Sequence, residues 1–437
     1  VFRRQRQMCI RDRSLSSEKE GFCSRQQLEV TKLRRLNSMF AEVLPANNFY
    51  REKLSGCKTP VQSLDELSDF PWTTKSDLVG NVDTVSAQNR TWSDEHYVRF
   101  HQTSGTSGRP LQIWDTRADW EWWMTCWEFI YSRACLQPGE PVFIAASFGP
   151  YIGFWSAFEG AVASGGRAIP SGGLSSIARL ELLQKTEAKV LVATPTYALH
   201  LAEVAKEHGY DTSRSTIRCI IVAGEPGGSL DSVRHRLAAA WGADVLDHSG
   251  ATEIGPWGVG WLQHSGLEVL EEWFHPEFRA ITADRPARQG ELAELVLTTL
   301  GRTGCPVIRY RTGDVVKPAW PTHQEIAEGR SPRVWLEGGI LGRTDDMLVI
   351  RGVNVFPSAV ENIIKSFPEV VEHRLTVNRE GNLDMLSIEI EDQLSSPVRV
   401  AQELHVRLGL RIRVQEVPVG TLPRFEGKAR RVIDNRE

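Results

Sequence analysis

Hydroxyl side chains and glycines alternate in segment 103–110, which reads TSGTSGRP. Glycine lets backbone N–H groups approach an anion closely, and Ser or Thr hydroxyls add further donors. The segment therefore favours a phosphate-binding loop, although it lacks the G-x-x-x-x-G-K-[ST] form of the Walker loop. A flexible Ser/Gly linker has the same composition, so the segment alone leaves both interpretations open. The candidate phosphate-contacting residues are Thr103, Ser104, Gly105, Thr106, Ser107, Gly108 and Arg109.

Two acidic residues follow short turns later in the chain. Glu253 comes directly after Thr252, and its carboxylate suits Mg²⁺, which takes oxygen ligands and bridges to substrate phosphates. Asp314 follows Gly313, and a carboxylate on such a turn can accept hydrogen bonds from both hydroxyls of a ribose. Each residue has an ordinary alternative, as a solvated loop Glu and as a turn Asp.

Basic residues complete the groups that phosphate chemistry needs. Arg343 precedes an acidic pair at 345–346 that suits a hydrated hinge, and its guanidinium can pair with phosphate or carboxylate. Lys428 lies in the run PRFEGK, where a flexible Gly lets an ammonium group reach a leaving phosphate. The alternatives are a solvated charge cluster and a solvated tail.

The elements that must position these residues are read from hydrophobic periodicity. Helical patterns cover 26–54, 118–134, 177–187 and 197–208, and short apolar runs occupy 141–146, 189–193 and 219–223. Strand–helix alternation of this kind predicts an α/β fold with a parallel sheet. One face of the second helix is an aromatic stripe, which is more typical of core than of a ligand pocket. The stripe consists of Trp120, Trp123, Met124 and Trp127.

The later part of the chain has a different texture. Alternating runs after Gly290 indicate β-structure, and a linker is expected over 318–332. Beyond residue 342 the order strand–helix–strand–strand–helix–strand predicts a compact α+β unit. We therefore expect one domain over 15–342 and a second over 343–437. The basic, aperiodic segment 1–14 is expected to be foreign to the fold or disordered.

Length and composition exclude several classes of protein. A chain of 437 residues is expected to form two or more domains, and 24% charged residues is ordinary for a globular enzyme. The net charge of −4 disfavours binding to nucleic acid or to an anionic membrane. No apolar run reaches the roughly 20 residues of a membrane span. Seven cysteines without a C-x-x-C pair predict a reducing, cytoplasmic setting.

Together the motifs resemble those of the adenylate-forming superfamily of acyl-CoA ligases, peptide-synthetase adenylation domains and luciferases. Within it, the chain is similar to the phenylacetate–CoA ligase family from about Leu28 to the C-terminus. The segments that carry this resemblance are GRTDDMLVIRGVNVFPSAVE, LPRFEGKARRVIDNR, HQTSGTSGRP, FYREKL, PWTTKSDL and VAGEP. The resemblance implies a large multi-sheet α/β N-terminal domain and a small mobile α+β C-terminal domain.

The resemblance also implies a reaction in two steps. ATP and a carboxylic acid give an acyl-adenylate and pyrophosphate, and CoA then converts the adenylate into a thioester and AMP. ATP, Mg²⁺ and CoA are the implied ligands, and a homodimer is a further expectation. The acid is expected to be aryl or arylacetic, with Phe148, Tyr151 and Phe154 as candidates for lining its pocket. Transfer to a carrier protein or an amine, and a degenerate nucleotide-binding homologue, are the alternatives.

Site roles follow from the resemblance position by position. Segment 103–108 is assigned to the β- and γ-phosphates, with Arg109 where the family usually has Lys. Glu253 is assigned to Mg²⁺, Asp314 to the ribose, Arg343 to the ribose or a phosphate, and Asp345 to the hinge. Lys428 is assigned to the acid and the α-phosphate, and Gly352 to the CoA thiol tunnel. Further nucleotide contacts are implied for Gly224, Glu225, Pro226, His248, Ser249, Gly250 and Thr252.

Two departures from the family pattern stand out. Ser249 occupies a position where the family usually has an aromatic residue that packs on adenine, so His248 or another residue is expected to compensate. Some relatives carry a C-x-C-G cluster where this chain has IAEGR at 326–330, so no structural zinc is expected. Cys305 is then predicted to be a small buried residue.

Overall fold

The computed structural model describes residues 24–79, 87–103, 110–346, 348–350, 353–380, 383–423 and 431–436. The helices are α1 Arg25–Ala46, α2 Asn48–Lys53, α3 Lys75–Val79, α4 Arg117–Arg133, α5 Ile152–Ala163, α6 Ser176–Thr186, α7 Pro195–Glu207, α8 Asp231–Trp241, α9 His323–Ala327, α10 Pro357–Lys365 and α11 Pro397–Leu408. The strands are β1 Tyr97–Gln102, β2 Gln112–Thr116, β3 Pro141–Ile144, β4 Arg167–Pro170, β5 Val190–Ala193, β6 Cys219–Val222, β7 Asp244–Ala251, β8 Gly255–Trp261, β9 His264–Val269, β10 Phe274–Ala280, β11 Ala293–Thr299, β12 Tyr310–Val316, β13 Pro318–Ala319, β14 Trp335–Leu336, β15 Gly342–Arg343, β16 Leu348–Ile350, β17 Val353–Val355, β18 Val370–Glu380, β19 Leu383–Asp392, β20 Arg413–Glu416 and β21 Val432–Asp434.

The largest sheet has the strand order β13-β14-β9-β8-β7-β6-β5-β3-β4. Strands β4, β3, β5, β6 and β7 are parallel, and the pairings from β7 to β13 are antiparallel. In β5, Val190 and Val192 face the core formed with α4 and α5, while Leu191 and Ala193 face α6, α7 and α8. Because both faces are covered, these strands are apolar throughout. The predicted α/β fold with a parallel sheet is confirmed.

Helix α4 is buried beneath this sheet. Its indoles at Trp120, Trp123 and Trp127 are buried in the main core, and Met124 packs against that core. The core interpretation of the aromatic stripe is therefore confirmed. The helix begins with a capping box in which Thr116 and Asp119 exchange side-chain-to-backbone hydrogen bonds, and this fixes its position at the end of β2.

A second, antiparallel sheet has the order β10-β11-β12-β15, and β1 pairs with β2 in a separate hairpin. The β-structure predicted after Gly290 is thus confirmed. The linker predicted over 318–332 is wrong in part, because β13 pairs with β14 and α9 forms within that range. A capping box between Thr322 and Glu325 stabilises this short helix.

The C-terminal part forms a compact unit with a core of its own. Its sheet has the order β20-β19-β18-β21, and α10 and α11 pack against it. The six predicted strands and helices occur in the predicted order along this unit, and the structure adds two strands that were not predicted, β17 and β21. Its junction with the rest of the protein passes through β15, whose two residues pair with β12. The boundary near residue 343 stays a prediction.

Buried ion pairs attach α1 to the main sheet. Glu271 is fully buried and accepts hydrogen bonds from Lys32 Nζ at 2.6 Å, from the Val334 backbone N–H at 2.8 Å and from Arg25. Burial alone would raise the pKa of Glu271, but the charges of Lys32 and Arg25 outweigh it and lower the pKa to about 2. The ionised carboxylate therefore stabilises the folded chain.

Replacing Glu271→Leu is expected to lower the free energy of unfolding by about 3–5 kcal/mol, because Lys32 would remain buried without its partner. Glu271 ionises with a pKa of about 4.3 when unfolded, so its stabilisation is complete above that pH and is lost as the pH falls towards 2. Urea denaturation from pH 2 to pH 7 measures both effects. The control is Glu29→Gln, since Glu29 pairs with Arg25 but is 52% exposed and contributes below about 1 kcal/mol.

Candidate functional site

Glu253 lies in the turn between β7 and β8, and the residue is half-buried. The Tyr310 hydroxyl, at the start of β12, donates a hydrogen bond of 2.9 Å to Glu253 Oε1. Burial, and then the Glu253 carboxylate, raise the pKa of Tyr310 well above its ordinary value, so the hydroxyl stays protonated as the donor. The bond orients the carboxylate without neutralising its charge.

Asp314 and Arg343 face each other across the pairing of β12 with β15. Arg343 Nη1 donates to Asp314 Oδ1 at 3.2 Å and to the Thr312 carbonyl oxygen at 3.2 Å. Gly313 has a φ of +76°, and a Cβ there would lie 2.7 Å from Arg343 Nη2. The positive φ therefore favours glycine here, and a side chain at this position would also displace the guanidinium.

Arg343 also binds the predicted hinge residue. Its Nε donates to Asp345 Oδ1 at 2.8 Å, and its Nη2 donates to Asp345 Oδ2 at 3.1 Å. This two-point contact is the geometry that a guanidinium forms with a carboxylate or a phosphate. The structure therefore brings three predicted site residues, Asp314, Arg343 and Asp345, into one ion-paired group.

The electrostatics show that Glu253 belongs to the same group. Burial raises the pKa of Asp314 to about 6, and the carboxylates of Glu253 and Asp345 add to the rise. The positive charge of Arg343 opposes it. Negative charge thus accumulates beside one guanidinium, in a place where a ligand bearing hydroxyl donors or a cation would be favoured.

Mg²⁺ fits the donors present. Within the described part of the chain, no group of three or more His, Cys, Asp or Glu residues is arranged to hold a metal ion. Glu253 offers a hard carboxylate that is oriented by a neutral hydroxyl. Mg²⁺ commonly binds through one or two carboxylates, water and substrate phosphates rather than in an all-protein cage. A single glutamate is consistent with that arrangement.

Thr103 closes the stem of the glycine-rich segment. Its backbone N–H donates to the Leu111 carbonyl oxygen at 3.0 Å, and its Oγ1 accepts from the Leu111 N–H at 2.9 Å. The hairpin of β1 and β2 continues from this stem. The remaining predictions in the segment, Ser104 to Arg109, lie outside the described residues, as do Gly352 and Lys428 and the segment 1–14.

His248 is buried in β7, where its ring contacts the Trp127 ring edge-on with centroids 4.7 Å apart. Burial lowers the pKa of His248 to about 4, so the ring is neutral. Nδ1 lies 2.8 Å from the Gly258 carbonyl oxygen and must donate to it, since a carbonyl only accepts. Ser249 is half-buried and pairs with Gly258. Their roles beside adenine stay predictions.

Other predicted nucleotide contacts lie at the carboxyl ends of adjacent parallel strands. The segment 224–226 follows β6, and Gly250 lies near the end of β7 and is exposed. Glu225 Oε1 accepts the Thr196 backbone N–H at 2.7 Å, at the first turn of α7. Ligands of open α/β sheets bind at this edge, so the placement is consistent with a nucleotide site.

Aromatic side chains surround the predicted acid-binding segment. The Phe148 ring lies 4.7 Å from Trp155 and 5.7 Å from Phe158, and Phe154 packs against the main core. Tyr151 is half exposed. The segment is tied to the end of β1, because the backbone N–H of residue 102 donates to the carbonyl oxygen of residue 150 at 2.9 Å.

A buried pair that was not predicted from the sequence lies beneath the site. Asp115 in β2 and Arg302, between β11 and β12, are both fully buried and joined by hydrogen bonds of 2.5 and 2.9 Å. A charged residue among the apolar positions of β2 was the available signal. Cys305 nearby is fully buried, as predicted, and burial raises the pKa of its thiol to about 12.

Two further features of the fold lie apart from the predicted site residues. No helix among the described residues has the length and apolar character to cross a membrane. A cavity of about 420 Å³ opens between α1 and α4, and none of the predicted site residues lines it.

Comparison with known proteins gives consistent matches. Residues 352–436 match the family model of the AMP-binding enzyme C-terminal domain. The phenylacetate-coenzyme A ligase of Escherichia coli (strain K12) is 32% identical, over 94% of this chain and 95% of its own length. 2-Hydroxyisobutyryl-CoA ligase in the postadenylation state with 2-HIB-AMP matches with a TM-score of 0.85 at 28% identity, covering 93% and 90% of the two chains. The same enzyme in the thioesterification state, with CoA, matches with a TM-score of 0.69 at 28% identity, covering 94% and 90%.

The half-buried Asp314 carboxylate gives a prediction for stability. Its raised pKa means that ionisation costs free energy in the folded chain, so its contribution to stability falls as the pH rises from about 4 through 6. Relative to wild type, Asp314→Asn should gain about 2–3 kcal/mol in unfolding free energy between pH 4 and pH 7.5. Urea denaturation at both pH values measures this. Parallel pH profiles of unfolding free energy for the two proteins would contradict the raised pKa of Asp314.

Proposed function

The chain belongs to the phenylacetate–coenzyme A ligase family, and from this membership we propose that its substrate is a carboxylic acid with an aromatic ring. The protein is an AMP-forming acid–CoA ligase, which activates its acid with ATP as an acyl-adenylate and transfers the acyl group to CoA. Four curated relatives bear the phenylacetate-coenzyme A ligase name, which supports an aryl or arylacetic acid. The ring cluster around Phe148 is consistent with such a substrate.

The chemistry explains why two substrates besides the acid are needed. A carboxylate is a poor acyl donor, because its leaving group would be oxide. In the first step a carboxylate oxygen bonds to the α-phosphorus of ATP and pyrophosphate leaves. In the second step the CoA sulfur bonds to the acyl carbon and the bond to AMP breaks. The protein is asked mainly to position the reactants and stabilise charge.

The strongest single observation is the ion-paired group around Arg343. We assign the ribose hydroxyls to Asp314, which already accepts a donor from Arg343 at 3.2 Å. Arg343 is assigned to the ribose or a phosphate. Its guanidinium forms with Asp345 the two-point contact that it can also form with a phosphate. Mg²⁺ supplies positive charge to the phosphate oxygens when it is bound, and Glu253 is the residue proposed to hold it.

The phosphate and adenine contacts complete the proposed nucleotide site. The stem at Thr103 holds the ends of the glycine-rich segment together, which supports a role for 103–109 around the β- and γ-phosphates. The segment 224–226 and the end of β7 flank one sheet edge, which supports their assignment to adenine. Lys428 is proposed to contact the acid and the α-phosphate, on the strength of its family motif.

The hinge is proposed at Asp345, where the chain enters the C-terminal unit. The match is closer to the postadenylation state of 2-hydroxyisobutyryl-CoA ligase than to its thioesterification state, at equal identity. This difference supports an arrangement of the two parts like the one that follows adenylation. Rotation about Asp345 would then bring Gly352 towards CoA in the second step.

The decisive experiment is ATP–pyrophosphate exchange with a panel of phenylacetate, benzoates, cinnamates and short fatty acids. We expect exchange that depends on an aromatic acid, and we expect Lys428→Ala to lower it about 100-fold or more, because a charge that stabilises the transition state is lost. Adding CoA to the preferred acid should release AMP and form the thioester.

Each outcome separates the alternatives. Exchange with short fatty acids alone would contradict the aromatic class while leaving the ligase activity in place. Exchange without any thioester after CoA is added would favour a carrier protein or an amine as acceptor. A folded protein that binds ATP but supports no exchange with any acid would favour the degenerate homologue.

A further inference from the structure

Arg302 makes contacts that reach three separate parts of the fold. Its Nε and Nη2 donate to Asp115 Oδ1 at 2.9 and 2.5 Å. Its Nη1 donates to the Thr252 carbonyl oxygen at 3.2 Å and to the Glu253 carbonyl oxygen at 2.9 Å. One guanidinium therefore joins β2, the turn between β7 and β8, and the connection between β11 and β12.

The position of Arg302 is itself fixed. The backbone N–H groups of Thr303 and Gly304 both donate to Asp119 Oδ1, at 2.8 and 3.1 Å. Asp119 belongs to the capping box that begins α4, and it is fully buried. The Trp123 ring lies 5.4 Å from the guanidinium carbon. The side chain therefore starts from a rigid backbone and has little freedom to reorient.

Asp115 places the other end of this contact on the hairpin of the glycine-rich segment. It lies in β2, four residues after Leu111, whose backbone bonds close the stem at Thr103. The Asp115 carboxylate and the Arg302 guanidinium are both 0% exposed. Water does not screen the attraction between these two charges. Because Arg302 also binds the Glu253 turn, the pair holds the hairpin and that turn at a fixed separation.

We propose that Arg302 is a positioning residue, which sets the Glu253 carboxylate at the correct place relative to the hairpin that carries the phosphate-binding segment. This inference rests on the proposed function, because it assumes that Glu253 and the 103–109 segment act on one polyphosphate. A metal-binding carboxylate on one element and phosphate contacts on another must share a common frame. Arg302 holds the backbone of the Glu253 turn in that frame, and the Tyr310 hydroxyl orients the Glu253 side chain.

A purely stabilising role is the competing explanation, and it makes different predictions. A buried ion pair replaced by apolar residues of similar volume is often neutral for stability. A lysine can keep the charge pair with Asp115 but cannot span a carboxylate and two carbonyl oxygens, because its ammonium is a point charge. Arg302→Lys therefore separates the pairing of charges from the bracing of the Glu253 turn.

The experiment measures ATP binding by calorimetry without acid, so that no turnover occurs, in the presence and absence of Mg²⁺. The ratio of the two dissociation constants reports the gain in ATP affinity that Mg²⁺ provides. In Arg302→Lys we expect this gain to fall at least about 10-fold, the effect typical of residues that support a metal ligand. Affinity for ATP without Mg²⁺ should stay within about twofold of wild type.

Arg333→Lys is the matched control. Arg333 is also almost fully buried, and it pairs with Glu272 and Glu268, which are not predicted site residues. We expect this variant to lose thermal stability to a similar degree as Arg302→Lys while keeping the wild-type gain from Mg²⁺. The double variant Arg302→Met with Asp115→Leu removes the charges together, and should fold yet show the same loss of Mg²⁺-linked affinity.

Two results would overturn the proposal. One is that Arg302→Lys, or the double variant, loses stability but keeps the wild-type gain in ATP affinity from Mg²⁺. Arg302 would then be structural only. The other is an equal loss in Arg333→Lys, which would trace the effect to general destabilisation. Failure of the proposed function is a distinct result, since wild-type protein would then show no acid-dependent pyrophosphate exchange at all.

Discussion

The arrangement of the site depends on keeping ionised side chains partly or wholly out of water. Catalysis on a polyphosphate needs fixed charges, and a charge removed from water is tolerated only with a partner. In this chain the partners are other charged side chains in the site or directly beneath it. Arg343 is shared between Asp314 and Asp345, and Arg302 is held by Asp115. The charges are therefore already oriented by one another before any ligand binds, which is the condition for electrostatic preorganisation.

The sheets bring these charges together from distant parts of the chain. The parallel strands β6 and β7 end at one edge, and the turn after β7 carries Glu253. β12 then brings Tyr310 to that turn and Asp314 to the two-residue strand β15. Because β15 leads directly into the C-terminal unit, the same pairing carries the residues proposed for the ribose and the start of the proposed hinge. The proposed ribose contact and the attachment of the C-terminal unit thus share one pair of strands.

Elements with a local signal were predictable, and contacts between distant residues were not. Periodicity predicts the buried strands β3, β5 and β6 and the helices α1, α4, α6 and α7 within a few residues, but α5, α8, β17 and β21 were not predicted. Helix α9 was missed even though Thr322 and Glu325 form a readable capping box. The Asp115–Arg302 pair joins residues 187 positions apart, and Tyr310 reaches Glu253 across 57. Motif spacing places Glu253 in a site but carries no information on which side chains hold it.

Burial also distinguishes the buried contacts beneath the site from the exposed contacts at the proposed hinge. The Asp115–Arg302 pair is 0% exposed on both sides, and breaking such a pair costs several kcal/mol. Arg343 is 40% exposed and Asp345 is 56% exposed, so solvent screens their contact, which is worth at most about 1 kcal/mol. The proposed rotation at Asp345 would therefore break this contact at little cost. The buried pair that holds the Glu253 turn against the hairpin costs more to break, so the proposed movement at Asp345 would leave that pair in place.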